Sequence, residues 1–380
     1  MKKLGIVSTH PIQYNAPLFQ MLAADSELSV QVFFSKKAEE VRFDKDFGHE
    51  VIWDLPLTDG YSHQSFAAST SGGLKALLRG LHSFQPDALL VYGWNFPGHW
   101  KVMRTFHERI PVWFRGDSNL LDPIPWWKRL ARRALLSLVY RSVDRGFYVG
   151  QANRRYFLWC GLKDHQLVYA PHAVDNDYFM RDNAMRLQSA EAVRGSLGID
   201  AKSTVFLFVG KLEAKKQPLE LAHAFSQLLT KTSTLDAHLV FVGSGALENT
   251  LLEDFGSHAR IHFAGFQNQS MMPTWYRVGD ILCLPSKGPG ETWGLAVNEA
   301  LASGCTALVT DKVGCAEDLV APQKWCAVVD AQDHSNWPAA MLLMAERIQS
   351  PSFDRGDLMQ HVTPFNFAAF ASAIKKHIHE

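Results

Sequence analysis

The chain has 380 residues, enough for two domains at roughly 100–200 residues each. Hydrophobic residues make up 47% and charged residues 20%, which supplies a packed core and excludes a disordered chain. Lysine plus arginine equals aspartate plus glutamate at 38 each, so net charge offers no attraction to nucleic acid, and none is expected as a partner.

Short apolar runs alternate with helical patterns from the start, the signature of parallel sheets built from β-α-β units. In the first half the strand candidates are LGIVS, SVQVFF, ALLVYG, PVWFR and GFYVG, with helices near 16–24, 73–84, 98–108, 126–143 and 151–160. The start, MKKLGIVSTHPIQY, is too short in apolar residues for a signal-peptide core, and no run approaches the ~18 apolar residues of a membrane span. The five cysteines are odd in number and lack C-x-x-C spacing, which fits reduced core residues of a cytoplasmic protein.

The helix PWWKRLARRALLSLVYR carries Lys128, Arg129, Arg132 and Arg133 on one side and Trp127, Leu130, Ala134 and Leu138 elsewhere. Such a helix suits an anionic membrane surface, so residues 126–145 are a candidate contact with the inner membrane. The alternative is an ordinary domain helix packed by its leucines, with a solvated basic face. From Asn176 to Ser203 the pattern turns polar, and the domain boundary falls there. The expected division is a first domain at 1–175, a linker at 176–203, a second domain at 204–356 and a C-terminal helix at 357–380.

The second half repeats the alternation with TVFLFVG, HLVFVG, IHFAG, DILCLPS, TALVT and AVVD. Two doubly wound sheets in tandem leave a cleft, and ligands in such sheets bind beyond the carboxyl ends of the strands. The motifs lie at those ends. Gly210 closes the first strand of this half, and Lys211 and Lys216 follow it; two cations there can neutralise a diphosphate leaving group without a metal, the alternative being a solvated basic loop. Gly265 and Phe266 follow another strand, where backbone can read a nucleobase edge. After ILCLPSK, ending near Ser286, comes GPGETWGLAVNEALASG. Its glycines admit close approach of backbone to ligand. The helix expected from Gly294-Leu295 presents free N–H groups to a phosphate. Glu291 just before it can meet sugar hydroxyls, and Glu299 one turn inside can hold a vicinal diol such as a ribose. Either acid also has an ordinary structural reading, as helix-dipole chemistry or a solvated face.

The ordered series G-K-L-x-x-x-K, G-S-G-x-L-E, F-x-G-F, D-I-x-x-L-P-S and E-T-W-G-L-A-x-x-E-A-x-A-S-G resembles the family-4 glycosyltransferases over most of residues 200–330. The resemblance implies a GT-B fold: α/β, two Rossmann-like domains facing a cleft, with the C-terminal helix returning to the first. It implies hexosyl or related transfer from a nucleotide-sugar with retention at the anomeric carbon, and no metal or other cofactor. Lys211, Lys216 and Glu291 would be catalytic. Gly210, Gly265, Phe266, Ser286, Thr292, Trp293, Gly294, Leu295 and Glu299 would bind the donor.

The segment STHPIQYNAP resembles the T-H-P-I-Q-Y start of a subset of bacterial polysaccharide glycosyltransferases, which places His10, Gln13, Tyr14 and Asn15 on the acceptor side. Family members often carry a histidine after a later strand; here WFRGDSN stands there, and Arg115 and Asp117 either take its role or simply pair with each other. The acceptor implied is a glycan or a lipid-linked glycan in polysaccharide biosynthesis, in the cytoplasm or at the membrane's cytoplasmic face. A nucleotide-sugar 2-epimerase and a non-catalytic nucleotide-sugar-binding protein remain the alternatives.

Overall fold

The computed structural model describes residues 1–36, 43–44, 49–50 and 56–380. Its strands are β1 (Lys2–Ser8), β2 (Leu28–Phe34), β3 (Phe43–Asp44), β4 (His49–Glu50), β5 (Ser62–Ser65), β6 (Ala88–Tyr92), β7 (Val112–Arg115), β8 (Arg145–Tyr148) and β9 (Leu167–Tyr169), followed by β10 (Thr204–Val209), β11 (Ala237–Val242), β12 (Ile261–Phe263), β13 (Ile281–Leu284), β14 (Thr306–Thr310) and β15 (Ala327–Val329). One sheet runs β5-β2-β1-β6-β7-β8-β9 and another β12-β11-β10-β13-β14-β15, while β3 and β4 pair separately. The ladders of both large sheets are parallel. Strands covered on both faces need continuous apolar runs, and TVFLFV (β10) and AHLVFV (β11) supply them.

The chain divides into two compact units. The first contains the seven-stranded sheet and the segment Asn366–Glu380; the second contains Val174–Phe365. In the first unit Leu4, Ile6, Phe19, Trp113 and Phe147 form one core layer, joined by Phe367, Phe370, Ile374 and Ile378 of the last helix, Phe367–Ile378. Leu77, Val102, Leu136 and Phe157 form a second layer. The expected helix at 357–380 is in fact two: Arg355–Val362 belongs to the second unit and Phe367–Ile378 to the first, with a new N-cap at Asn366, whose side chain accepts from Ala369 N–H.

Residues 176–203 are likewise not an open linker. They fold as helices Asn176–Met180 and Asn183–Ser196 of the second unit, anchored through a buried charge. Arg194 Nη2 meets Asp280 Oδ2 at 2.8 Å, and Arg194 Nε donates to Val278 O at 2.9 Å. Asp280 stands at the foot of β13. Its Oδ2 also accepts from Val205 N–H of β10, and its Oδ1 pairs with Arg355 Nη2 at 2.6 Å. A polar stretch reads as linker because its packing residue is an arginine, not a leucine.

The helix Trp126–Tyr140 also differs from the leucine-packed alternative. It buries Leu136, Val139 and Tyr140 and leaves Leu130, Leu135 and Leu138 exposed. Among the described residues no helix is long and apolar enough to cross a membrane. The cysteines are all free and buried.

Breaking a buried ion pair by removing one partner costs about 3–5 kcal/mol, because the other charge is left uncompensated. Asp280 keeps Arg355 when Arg194 is lost, so Arg194→Met is expected near the lower end, about 3 kcal/mol. The measurement is urea unfolding followed by tryptophan fluorescence, and an unchanged midpoint would contradict the anchoring role.

Candidate functional site

The second sheet reverses its winding between β10 and β13: β11 and β12 lie on one side, β14 and β15 on the other. The carboxyl ends of strands at such a switch point form a natural crevice. Gly210 and Lys211 follow β10, and a short turn, Ala214–Lys216, brings Lys216 round. Ser286 and the glycine-rich loop follow β13. The two loops are tied together by Lys287 N–H donating to Lys215 O at 3.0 Å. Lys216 Nζ is ion-paired with Glu291 Oε2, and Ser286 Oγ donates to the same oxygen at 2.9 Å. Gly210 lies beside them, since a Cβ there would stand 3.8 Å from Lys216 Nζ. Lys211 is half-buried one residue further on.

Glu291 is held by its backbone as well. Gly314 N–H donates to Glu291 O at 3.1 Å and Cys315 N–H to Trp293 O at 2.8 Å. A Cβ on Gly314 would fall 1.8 Å from Thr292 O, so this seam closes only with glycine. The helix Leu295–Ala302 starts at Gly294, whose φ of +96° turns the chain sharply into it. That N-cap position has no side chain, so the helix start presents its backbone N–H groups and the positive end of its dipole uncovered by a capping group. Trp293, expected to touch donor, is buried instead; its indole N–H donates to Asn298 Oδ1 at 2.7 Å and braces the turn. Thr292 and Leu295 are half-buried on either side of it.

Glu299 lies inside the helix and is 3% exposed. Its Oε2 accepts from Tyr276 Oη at 2.6 Å and its Oε1 from Gln269 Nε2 at 2.9 Å. Burial pushes its carboxyl up to about 7, and the two hydrogen bonds hold it from rising further. Gln269 and Tyr276 had no signal in the sequence, 30 and 23 positions away. A carboxylate in an apolar helix demands donors, but not from any particular place. At the end of β12, Gly265 O accepts from Gly243 N–H at 2.8 Å, and Phe266 is half-buried beside it. Among the described residues no three His, Cys, Asp or Glu side chains cluster with metal-holding geometry.

In the first unit the winding reverses between β1 and β6. His10 follows β1; its Nδ1 lies 3.0 Å from Thr9 Oγ1, and burial together with Lys36 holds its imidazole below the ordinary value. Gln13 Oε1 is buried with no hydrogen-bond partner among the described residues, and Tyr14 and Asn15 complete the turn into the helix Ala16–Ala23. Arg115, expected on the acceptor side, is turned inward. Its guanidinium donates to Ala170 O and to Pro171 O, and it lies 4.2 Å from the Phe370 ring centroid. Burial lowers it to about 10. Asp117 is close enough to favour that charge. His99, absent from the sequence reading, is fully buried next to this switch point, with Nε2 2.8 Å from Ser35 Oγ and Nδ1 3.2 Å from Gly93 O. Burial lowers it to about 4.

Two parallel-sheet Rossmann-like units of this kind make up the GT-B architecture, and the fold of the chain matches solved structures along its whole length. Anabaena HepE, solved with UDP, aligns with a TM-score of 0.74 at 14% identity and 100% coverage of both chains. Sucrose-phosphate synthase from Thermosynechococcus elongatus aligns with a TM-score of 0.74 at 16% identity, covering 100% of this chain and 98% of that one. Residues 189–346 match the family of glycosyl transferases group 1. A D-inositol 3-phosphate glycosyltransferase of Corynebacterium efficiens is 27% identical over 194 residues, 49% of this chain and 45% of that protein. The chain thus spans about half the length of the curated relative it matches.

Glu299 has a raised carboxyl, so its contribution to stability is complete below 4.5 and is lost as pH rises to about 7. Relative to Glu299→Gln, the wild type should lose about 3 kcal/mol across that window and nothing further above it. Denaturant unfolding of both proteins over this pH range tests it; parallel curves would show that Glu299 titrates normally.

Proposed function

We propose that the chain is a glycosyltransferase that moves a hexosyl or related sugar from a nucleotide-sugar donor to a glycan or lipid-linked acceptor, with retention and without a metal. The observation that carries the reading is the Lys216–Glu291 pair at the switch point, beside the start of the helix Leu295–Ala302. The match of residues 189–346 to glycosyl transferases supports it and weighs against the epimerase and the non-catalytic binding protein. A solved neighbour that holds UDP supports a nucleotide-sugar donor.

In this mechanism the helix start at Gly294 and Leu295 receives the diphosphate, and Lys211 and Lys216 neutralise the charge that develops on it as the sugar leaves. The C1–O bond to phosphate breaks, the acceptor oxygen bonds C1 on the same face, and a donor phosphate oxygen takes the acceptor's proton. Two cations and a helix dipole do the electrostatic work that a divalent ion would otherwise do. Glu291, already oriented by Ser286, accepts from sugar hydroxyls. Glu299 has a second lone pair on each oxygen for ribose hydroxyls, and Gly265 and Phe266 meet the base. Acceptor contacts fall to His10, Gln13, Tyr14 and Asn15. Polysaccharide assembly at the cytoplasmic face of a membrane fits an acceptor of this kind.

Nucleotide release from a panel of UDP-, GDP- and ADP-sugars tests the reading. One donor should turn over, and Glu291→Ala and Lys216→Met should each lower the rate by about 10²–10³ in protein that is still folded at the assay temperature. Donor-induced stabilisation with no turnover, even with crude membrane glycolipid present, would make the protein a binder and overturn the proposal.

A further inference from the structure

The helix Trp126–Tyr140 is amphipathic in an unusual sense, because it presents apolar side chains both inward and outward. Leu136, Val139 and Tyr140 enter the core, while Trp127, Leu130 and Leu138 stand on the opposite face, 55%, 51% and 59% exposed. Trp126, at the first position, is 73% exposed. A monomer in water gains nothing by aligning large apolar groups on its outer face, and such patches mark interaction sites.

The cations say what kind of partner fits. Residues 123–143 contain five basic side chains and no acidic one. Arg129 and Arg133 lie over the Trp159 ring at 5.4 and 5.8 Å, and Arg132 lies over Trp94 at 5.8 Å. The arginines are therefore directed back onto the protein and leave the apolar stripe uncovered, and Lys128, whose Nζ lies 5.2 Å from the Trp127 ring centroid, is the cation beside it. An apolar ridge with tryptophans at one end and a basic margin suits an interface that is apolar at depth and anionic at its rim. A protein groove of that description would need acidic walls of matching shape; an anionic bilayer has this layering everywhere.

We propose that the helix Trp126–Tyr140 lies in the surface of an anionic lipid bilayer, with Trp127, Leu130 and Leu138 below the headgroups and Lys128, beside Trp127, level with the phosphates. This rests on the proposed membrane-side location and names its surface. It replaces the simpler picture of a solvated basic face held by charge alone. Insertion and adsorption differ in salt dependence, since screening weakens charge attraction but not apolar burial.

The test is sedimentation of the full chain with vesicles of phosphatidylcholine alone and of phosphatidylcholine with about one-third phosphatidylglycerol, at low and high salt. Wild type should bind the anionic vesicles, retain a measurable part of that binding at high salt, and show a blue-shifted tryptophan emission. Trp127→Ser with Leu138→Ser should lower binding by about tenfold or more at both salts, with an unchanged melting temperature because both side chains are exposed. Binding by wild type that disappears at high salt and is indifferent to the double substitution would overturn insertion. So would a concentration-dependent dimer abolished by the same substitution, which would assign the ridge to a second copy. Donor turnover with a water-soluble acceptor, measured on the same variant, should remain at wild-type level. Loss of vesicle binding with intact turnover separates this surface from the transfer site.

Discussion

The second unit is organised around one carboxylate. Asp280 stands where β10, β13 and β14 begin. Its side chain holds Val205 N–H and two arginines, and its backbone bonds Val205 O and Thr306 N–H. Burying a charge is costly unless it is paired and hydrogen-bonded, and Asp280 is both. One arginine comes from the helix before the sheet and the other from the helix after it. The carboxylate thus fixes the feet of the central strands, leaving their opposite ends open to chemistry. A rigid base and a polar, glycine-rich top are complementary demands on the same sheet.

At that top the charges are arranged differently. Lys216 and Glu291 neutralise one another across two loops, and Ser286 fixes the carboxylate from the side. Unpaired, the carboxylate would repel the phosphates of a phosphosugar and both long side chains would wander. Held as a pair, they form a preset surface on which, in the proposed transfer, a donor would exchange partners without moving the backbone. Glu299 sits inside the helix and is governed by burial, so two glutamates in one short segment have different partners: one is paired with a cation, the other is held by neutral donors.

Much of this was legible in the sequence where the signal is local. The buried strands announce themselves as apolar runs, and the segment from Glu291 to Gly304 encodes its own turn, helix and stop. What escaped is non-local or inverted. Ser62–Ser65 has no apolar residue and is a strand because β2 offers it an edge. Arg194 makes a polar stretch into packed helix by reaching Asp280. Arg115 ends a strand as a ligand contact would, but backbone carbonyls from Ala170 and Pro171 and the Phe370 ring capture it. Leu130 and Leu138 read as core because helix periodicity identifies faces without saying which face has a neighbour. Each miss turns on which distant group arrives, and spacing along the chain carries no trace of that.

The first unit includes a segment, Asn366–Glu380, that nearly the whole of the second separates from the rest of it. Phe367, Phe370, Ile374 and Ile378 are core residues of a sheet whose first strand begins at Lys2. During synthesis that core remains open on one layer until the last helix emerges, whereas Val174–Phe365 already holds its complete sheet by then. Domains usually mature in the order in which they are made. Here the order is reversed: the unit begun first is finished last, and it waits with apolar surface uncovered while its neighbour folds.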